Sequence, residues 1–342
     1  MALAPALVGL PSASASVVPR QVDYLRISIT DRCNERCLYC LPENFSAWTP
    51  REELLSYDEI LAVVRGAVGQ GFRHFRVTGG EPLIREGAPE FIGQLIATPG
   101  VETVQLTTNG TRLPRLAREL KRTGLERINV SLDALDPEVY RDLTRGSIEP
   151  VLEGIALCRE LGFRSLKLNT VLMRGKNDDQ IEPLIDFAAR HDLVLRFIEL
   201  MPVSLTEMLD ASNFLPVGEV MQRLRRDDRL EPIEDGLPLG RGPAKYYRLA
   251  KRGVTLGCIG ALTELHFCDH CNKMRLTADG NIRPCLGNHI EFDLKPALRP
   301  TDSAGEIPSI AAILQQARVE KPLEHLFRNQ YQPQRIMTAI GG

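Results

Sequence analysis

The stretch Cys33-Asn34-Glu35-Arg36-Cys37-Leu38-Tyr39-Cys40 contains three cysteines with the spacing C-x3-C-x2-C. Disulfides do not explain this spacing, because so short a loop strains the bridge and one thiol is always left over. Thiolates at this density favour a soft metal. A zinc ion or a cubane cluster takes four ligands, and no fourth cysteine or histidine lies nearby. The group is therefore incomplete, as a site that leaves one position for an outside ligand would be.

The motif also has an aromatic residue, Tyr39, directly before its last cysteine. In this it resembles the signature of the radical S-adenosylmethionine (SAM) enzymes. The resemblance implies a [4Fe–4S] cluster whose open iron is chelated by the amino and carboxylate groups of SAM. Spacing alone leaves an alternative, a zinc knuckle completed by a distant residue such as Cys158.

Length and composition describe an ordinary globular chain. Its 342 residues suffice for one large α/β domain with an appendage, or for two domains. A net charge of −2 gives no basic field for nucleic acid or an anionic membrane. No apolar run reaches the roughly 18 residues of a spanning helix, so we expect neither nucleic acid nor a membrane as partner.

Six of the eight cysteines fall in two tight groups, which is metal spacing rather than a disulfide framework. This indicates a reducing compartment, and we expect the cytoplasm. Residues 1–20 lack the positive region of a secretory signal and are predicted to be a disordered tail.

Strand and helix patterns alternate after the tail. The strands are predicted near 23–29, 73–78, 102–108, 126–131, 164–172 and 193–199. The helices are predicted near 56–69, with Asp58 or Ser56 as the cap, and near 89–97, 113–123, 137–144, 149–161 and 179–190. This alternation predicts a parallel sheet with right-handed crossovers.

Polar side chains recur on one face of all six strands. They are Arg26, Ser28, Arg76, Thr78, Gln105, Thr107, Asn129, Ser131, Lys167, Asn169 and Arg196. A flat, doubly covered sheet would be apolar on both faces. A curved sheet with a polar lumen explains the pattern better, so we predict an incomplete (β/α)6 TIM-like barrel with its chemistry at the strand C-termini. Exposed edge strands explain only one or two of the six.

The alternation ends after Met201. A helix near 217–226 precedes residues 231–244, which are rich in Gly, Pro and charge. Short strands near 245–249, 254–257 and 273–277 and a helix near 308–317 follow. We place a barrel core at 21–230 and a C-terminal region that closes it at 231–342.

A second incomplete group, Cys268-x2-Cys271-x13-Cys285, lies in this C-terminal region. Spacing alone allows structural zinc with Cys258, His266 or His270 as fourth ligand. Because the chain already carries one cluster motif, we favour a second cubane with its own open iron. The other histidines are interpreted as structural or exposed, whereas His270, between two ligands, is placed to tune the site.

Cations follow both the lumen and the second cysteine group. Arg26, Arg76 and Lys167 lie along the lumen, and Lys273 and Arg275 lie beside Cys271. Buried cations are costly unless an anion neutralises them, and phosphate suits both Arg and Lys. Salt bridges to Asp or Glu remain the alternative.

From about residue 20 to its end the chain resembles the molybdenum cofactor biosynthesis protein A family, the GTP 3′,8-cyclases. The resemblance rests on motifs in conserved order, namely Asp31–Pro42, Thr78–Pro82, Thr107–Gly110, Asn129–Asp133, Lys167–Val171, Arg196–Met201, the Cys268/Cys271/Cys285 group and Gly341-Gly342. It implies an enzyme with two [4Fe–4S] clusters and SAM, acting in the first step of molybdenum cofactor biosynthesis.

The resemblance also implies residue roles. Cys33, Cys37 and Cys40 hold the SAM cluster, and Cys268, Cys271 and Cys285 hold a second cluster that faces the guanine. SAM contacts Tyr39, Gly80, Ser131 and Met201. GTP contacts Arg26, Arg76, Thr107, Lys167, Lys273, Met274 and Arg275. Lys273 departs from the family, which usually has Arg there, so a bidentate phosphate contact is in doubt.

The implied reaction starts with reductive cleavage of SAM. The resulting radical takes hydrogen from C3′ of the GTP ribose, and the sugar then attacks C8 of guanine. A flavodoxin- or ferredoxin-like electron donor and a downstream cyclic pyranopterin monophosphate synthase are the implied partners, with a homodimer left open. The rival hypotheses are another radical SAM enzyme with an auxiliary cluster, such as a peptide-modifying enzyme, and a zinc-binding scaffold.

The chain ends in Gly341-Gly342, which alone indicates a frayed end. The preceding Ile336-Met337-Thr338-Ala339-Ile340 is apolar enough to dock on the body of the protein. The family resemblance favours a tail that projects into the active site.

Overall fold

The computed structural model describes residues 20–206, 208–233, 242–269, 271–300, 307–329 and 331–341. The tail predicted at 1–20 lies outside the described residues except for Arg20. No helix within the described ranges is long and apolar enough to cross a membrane.

Strands and helices alternate from Tyr24 to Glu199 as the periodicity predicts. The strands are β1 (Tyr24–Ser28), β2 (His74–Thr78), β3 (Thr103–Thr108), β4 (Arg127–Ser131), β5 (Ser165–Leu172) and β6 (Val194–Glu199). The helices are α1 (Tyr57–Gly69), α2 (Ala88–Ala97), α3 (Leu113–Arg122), α4 (Pro137–Thr144), α5 (Glu149–Glu160) and α6 (Ile181–Arg190). Neighbouring strands from β1 to β6 pair in parallel and in chain order.

The elements beyond Met201 are short strands, which extend the same sheet on both sides, and further helices. They are α7 (Val217–Asp227), β7 (Leu230–Ile233), β8 (Lys245–Leu249), β9 (Val254–Ile259), β10 (Lys273–Leu276), β11 (Asn281–Arg283), β12 (Phe292–Asp293), α8 (Lys295–Leu298), α9 (Ile310–Val319) and α10 (Met337–Ile340). Strand β10 pairs in parallel with β1, and β9 with β6. The sequence did not predict β7, β11 and β12, because β7 contains Pro232, while β11 and β12 have only three and two residues, too few for a readable alternation.

Within the described residues the sheet is open, ordered β12-β11-β10-β1-β2-β3-β4-β5-β6-β9-β8-β7. It is also curved. Burial lowers the pKa of Arg26 on β1, and among the neighbouring cations that lower it further is Arg196 on β6. On a flat sheet these two strands would lie about 24 Å apart, too far for such an effect. The predicted incomplete barrel with a C-terminal extension is confirmed.

The two faces of the sheet differ as the alternation predicts. Leu25, Ile27, Phe75 and Val77 are fully buried and pack in the apolar core on the helix side. A register slip by one residue would turn these side chains into the lumen. The apolar face therefore fixes which polar side chains line the lumen.

Candidate active site

The N-terminal cysteine group (Cys33, Cys37 and Cys40) lies on the loop after β1, at the carboxyl end of the parallel strands. Two backbone hydrogen bonds hold this loop against the end of α4. Arg36 N donates to Thr144 O at 2.8 Å, and Leu38 N donates to Leu143 O at 2.9 Å. All three cysteines are free and half-buried.

Buried carboxylates surround this group. Glu35, Glu81 and Asp133 are at most 3% exposed. Burial raises the pKa of Cys40 to about 12, and Asp133 adds to the rise. The pKa values of the other two thiols are also raised, mainly by burial, with contributions from these carboxylates. Thiolates form here only with a cation that replaces their protons, and a bound metal does so.

The donor set fits a cubane cluster. Among the residues that the structure describes, no group of three or more His, Cys, Asp or Glu side chains is placed to hold one metal ion. Cubane thiolates bind different irons, so they need not converge on one point. Cys158, the alternative zinc ligand, packs fully buried in the apolar core, where burial raises its pKa to about 12.

The glycine turn after β2 packs on the start of the cysteine loop. A Cβ atom on Gly79 would lie 2.5 Å from Thr30 O, and one on Gly80 would lie 2.2 Å from Arg32 O. Gly80 N donates to Thr30 O at 2.7 Å. Only glycine fits at both positions.

Glu81 follows these glycines, but its carboxylate is occupied by the protein. Oε1 accepts hydrogen bonds from Leu83 N at 2.9 Å and Thr108 Oγ1 at 2.8 Å. Oε2 accepts from Asn109 N at 2.7 Å. Burial raises the pKa of Glu81 to about 7, although these hydrogen bonds oppose the shift. The carboxylate ties the turns after β2 and β3 together.

The residues assigned to SAM by resemblance lie along one rim of the barrel. They are Tyr39, Gly80, Ser131 and Met201, at or just after the ends of strands or on the cysteine loop. The Tyr39 hydroxyl donates to Asp133 Oδ2 at 2.7 Å, and Asp133 Oδ1 accepts from Val171 N at 2.8 Å. Tyr39 is thereby fixed to the barrel wall, while contact with SAM stays a prediction.

A row of cations crosses the lumen face at mid-strand. Arg275 on β10 is in register with Arg26 on β1, which is in register with Arg76 on β2 and then Gln105 on β3. Arg76 Nη2 donates to Gln105 Oε1 at 2.7 Å. Like charges on neighbouring strands repel each other, so this row favours a bound anion.

Burial weakens the charged state of several lumen cations. It lowers the pKa of Lys167 on β5 to about 7, and Arg196 and Arg76 lower it further. Burial likewise lowers the pKa of Lys273 to about 8 and that of Arg196 to about 10. A polyanion bound among these groups would favour their charged forms.

Several buried polar atoms on this face have no hydrogen-bond partner among the described residues. They are Nε of Arg76, Arg196 and Arg275, Oδ1 of Asn169 and the hydroxyl of Tyr24. The Tyr24 ring centroid lies 5.6 Å from Cζ of Arg76 and 5.5 Å from Nζ of Lys273. Because buried polar groups are nearly always hydrogen-bonded, these atoms indicate where a polar ligand binds.

Two other residues assigned to GTP occupy different environments. Thr107 lies on the lumen wall, where its Oγ1 accepts from Asn129 Nδ2 at 3.4 Å. Met274 pairs in register with Leu25 and is fully buried in the apolar core on the helix side. Only the backbone of Met274 is therefore available to the lumen.

The C-terminal cysteine group (Cys268, Cys271 and Cys285) lies at the opposite end of the lumen. Cys271 precedes β10, whose first residue pairs with the first residue of β1. Cys285 follows β11, which runs antiparallel to β10. The ends of β1 are about 13 Å apart, and the cation row lies between the two cysteine groups.

Cations, rather than carboxylates, surround Cys271. Burial would raise the pKa of this thiol, but Lys321, Lys273, a hydrogen bond from the backbone of Lys273 and Arg275 together lower the pKa to about 7. Lys321 Nζ lies 3.6 Å from the Cys271 sulfur. Arg283 Nε donates to Cys285 O at 3.2 Å, so a second buried cation fixes the other segment.

The proposed zinc ligands are placed elsewhere or not described. Cys258 lies on β9 in the apolar core, where burial raises its pKa to about 12. His266 is exposed, and its Nδ1 lies 2.8 Å from Asp269 Oδ2. His270, expected to tune the site, lies outside the described residues.

The apolar segment before the C-terminus docks as the sequence predicts. Ile336 and Ala339 form a small buried cluster with Leu41, the residue directly after Cys40. The tail is therefore packed on the loop that carries the N-terminal cysteine group.

Gly341 lies at the mouth of the barrel. A Cβ atom there would be 3.0 Å from Ser28 Cβ and 3.1 Å from Thr78 Cγ2, at the ends of β1 and β2. Its φ of +83° also favours glycine. Gly342 lies outside the described residues.

Sequence reasoning missed three residues at these sites. Tyr24 was detectable, since it alternates with Arg26 and therefore shares the lumen face. Asp133 ends the segment Asn129–Asp133, which carries part of the family resemblance. Nothing in the sequence indicates that its carboxylate accepts a hydrogen bond from Tyr39. Lys321 gave no local signal, because it reaches Cys271 only through the tertiary fold.

Comparisons with known proteins agree with this geometry. Residues 27–188 match the model of the Radical SAM superfamily, and residues 193–327 match that of Molybdenum Cofactor Synthesis C. The GTP 3′,8-cyclase of Pelotomaculum thermopropionicum is 42% identical over 325 residues, which are 94% of this chain and 98% of that protein. The chain belongs to the GTP 3′,8-cyclase family. The family member of Pseudomonas entomophila is 40% identical over 339 residues, 97% of this chain and 99% of that protein.

The family's cofactors are two [4Fe–4S] clusters and SAM, and they are the cofactors of this chain. A solved structure with a related fold is SuiB of Streptococcus suis bound to S-adenosylmethionine. Its TM-score is 0.57 at 14% identity, and the match covers 80% of this chain and 63% of SuiB. At this identity the likeness shows the fold alone.

Proposed function

We propose that this enzyme converts GTP to (8S)-3′,8-cyclo-7,8-dihydroguanosine 5′-triphosphate, the first step of molybdenum cofactor biosynthesis. The observation that carries the proposal is a row of cations, Arg275 buried and Arg26 and Arg76 half-buried, between two groups of free cysteines. A triphosphate neutralises such a row. A nucleotide bound there lies between the N-terminal cysteine group and the C-terminal cysteine group. A peptide substrate would not require these cations.

The N-terminal group holds the cluster that binds SAM, with Tyr39, Gly80, Ser131 and Met201 around it. When bound, the cluster and SAM supply the radical that removes hydrogen from C3′ of the ribose. The protein's own contribution is to hold the ribose within reach and to fix C8 of guanine against C3′. The hydrogen bond from Tyr39 to Asp133 and the backbone bonds to α4 keep the loop rigid for this task.

The lumen cations bind the triphosphate. Arg26, Arg76 and Lys167 surround the lumen, and Lys273 and Arg275 bring charge from the C-terminal region. Lys273 Nζ donates to Asn272 Oδ1 at 3.0 Å. A lysine at this position keeps the positive charge but binds phosphate as a point charge rather than as a fork.

The C-terminal tail closes the mouth. Gly341 packs against Ser28 and Thr78, where an added Cβ atom would press on both side chains. A closed mouth excludes water and oxygen from the radical chemistry. The tail therefore acts in catalysis while leaving the clusters and the SAM site intact.

A flavodoxin- or ferredoxin-like protein supplies electrons, and a cyclic pyranopterin monophosphate synthase consumes the product, in the cytoplasm. The barrel core at 21–230 and the C-terminal region at 231–342 form one catalytic unit, because β9 and β10 extend the core sheet at both edges.

The proposed cyclisation is tested by anaerobic reconstitution of the enzyme. The reconstituted enzyme is then incubated with SAM, dithionite and GTP labelled with deuterium at C3′. We expect deuterium in the 5′-deoxyadenosine and a product with the mass of unlabelled GTP, resolved from GTP by chromatography. ATP, CTP and UTP serve as controls and should give no cyclised product. SAM cleavage without label transfer from GTP would contradict the proposal.

A further inference from the structure

Lys321, just after α9, places a buried ammonium beside the C-terminal cysteine group. The residue is 9% exposed. Its Nζ donates to Lys273 O at 2.8 Å and to Pro284 O at 2.7 Å, and lies 3.6 Å from the Cys271 sulfur. These contacts use all three N–H donors of an ammonium group.

The contacts connect the two segments that supply the cysteines. Lys273 lies two residues after Cys271, and Pro284 directly precedes Cys285. One side chain therefore ties both segments together through their backbone carbonyls. The carbonyls are neutral, so the partner of opposite charge for this ammonium is the thiolate that Cys271 becomes when it binds iron.

Charge and hydrogen bonds at the sulfur atoms help to set the potential of an iron–sulfur cluster. Reduction adds a negative charge to the cluster. A buried ammonium in contact with a ligand sulfur stabilises this more negative form. It therefore makes the cluster easier to reduce.

We propose that Lys321 raises the reduction potential of the C-terminal cluster and holds its two cysteine segments at a fixed separation. It is a positioning residue, since it acts through Cys271 and the backbone. The inference rests on the proposed function only for the presence of a cluster at these cysteines, and not for the identity of the substrate.

A redox titration followed by electron paramagnetic resonance tests the proposal. The full-length chain carries Cys33→Ala, Cys37→Ala and Cys40→Ala, so that the signal comes from the C-terminal cluster alone. Lys321→Gln removes the charge but keeps hydrogen-bond donors, and Lys321→Arg keeps the charge. Lys121→Gln is the matched control, because Lys121 binds Glu126 and Gly162 O away from both cysteine groups. Iron and sulfide are counted before each titration.

We expect the midpoint potential of Lys321→Gln to become more negative, with reduction about tenfold less favourable, which is about 59 mV for one electron. Lys321→Arg and Lys121→Gln should stay near the parent value. A fully loaded Lys321→Gln protein with the parent potential would overturn the proposal.

If Lys321→Gln fails to retain its cluster, Lys321→Arg decides the question. A loaded Lys321→Arg protein with the parent potential supports a role for the charge. A shifted potential or an unloaded cluster in Lys321→Arg contradicts it. No GTP is present in these titrations, so a failure of the proposed cyclase activity would leave their result unchanged.

Discussion

The two cysteine groups use the same ligands, but the electrostatic surroundings of Cys271 are opposite to those of the N-terminal group. Buried carboxylates, among them Glu35 and Asp133, lie around the N-terminal group and help to raise the pKa values of its thiols. Around the C-terminal group, Lys321 and Lys273 lower the pKa of Cys271 against the effect of burial. The spacing of the cysteines alone does not reveal this contrast.

The contrast assigns a different task to each group. Burial raises the pKa of Glu35 to about 8 and that of Asp133 to about 6, and these acidic groups offer no positive charge to an added electron. A cluster at the N-terminal group is therefore a strong reductant once it is reduced. Positive surroundings attract a polyanion, so the C-terminal group suits substrate binding. The cation row crosses the lumen between the two groups, so a polyanion bound there would lie between the two clusters.

Cysteine replacement should give the largest difference between the two groups. Alanine at Cys33, Cys37 or Cys40 should abolish SAM cleavage, because no electron reaches SAM. Alanine at Cys268, Cys271 or Cys285 should stop product formation but leave some SAM cleavage. Iron content, 5′-deoxyadenosine and the cyclised product are measured together, with about eight irons expected in the parent. An equal loss of SAM cleavage in both sets, with folding intact, would remove the division of tasks.

Removal of Gly341-Gly342, at the mouth of the barrel, should also separate SAM cleavage from product formation. We expect both clusters and some SAM cleavage to remain while the cyclised product is lost. Gly341→Ala is a milder test, since its methyl group would press on Ser28 and Thr78. Wild-type product yield in the truncated enzyme would show that the tail has no catalytic role.

Arg76→Ala should weaken GTP binding about ten- to a hundredfold, the range for a hydrogen bond to a charged group. SAM binding should change little, because Arg76 lies in the cation row at mid-strand. Arg118→Ala, which removes an exposed arginine paired with Glu160 on the outer surface, is the control. Unchanged GTP affinity by equilibrium binding would exclude Arg76 from the site.

Tyr24→Phe should have the smallest effect. It removes one buried hydroxyl and keeps the ring between Arg76 and Lys273. We expect about tenfold weaker binding of GTP, near the lower limit for such a hydrogen bond, and unchanged binding of guanosine. Equal losses for GTP and guanosine would move the contact from the phosphates to the nucleoside.

Much of the barrel could be predicted because its signals are local. Leu25 and Ile27 alternate with Tyr24 and Arg26, so one strand defines both its core face and its lumen face. The capping box of Ser56 and Glu59 marks the start of α1. Longer elements carry enough periods to be located within two residues, whereas β11 and β12 do not.

The parts of the site that could not be predicted depend on long-range contacts. The pairing of β10 with β1 brings Arg275 beside Arg26, although the two lie far apart in the chain. Lys321 reaches Cys271 through the packing of α9, and Glu81 turns inward because three donors converge there. None of these arrangements follows from spacing or periodicity.

The most direct test of the division of tasks is electron paramagnetic resonance of the reduced holoenzyme with each ligand. The two cluster signals are assigned from variants that lack either the N-terminal or the C-terminal cysteine group. The account predicts that SAM alone changes the signal of the N-terminal cluster and that GTP alone changes the signal of the C-terminal cluster. If both ligands perturb the same cluster, or GTP perturbs neither, the assignment of radical formation and substrate binding to separate cysteine groups is wrong.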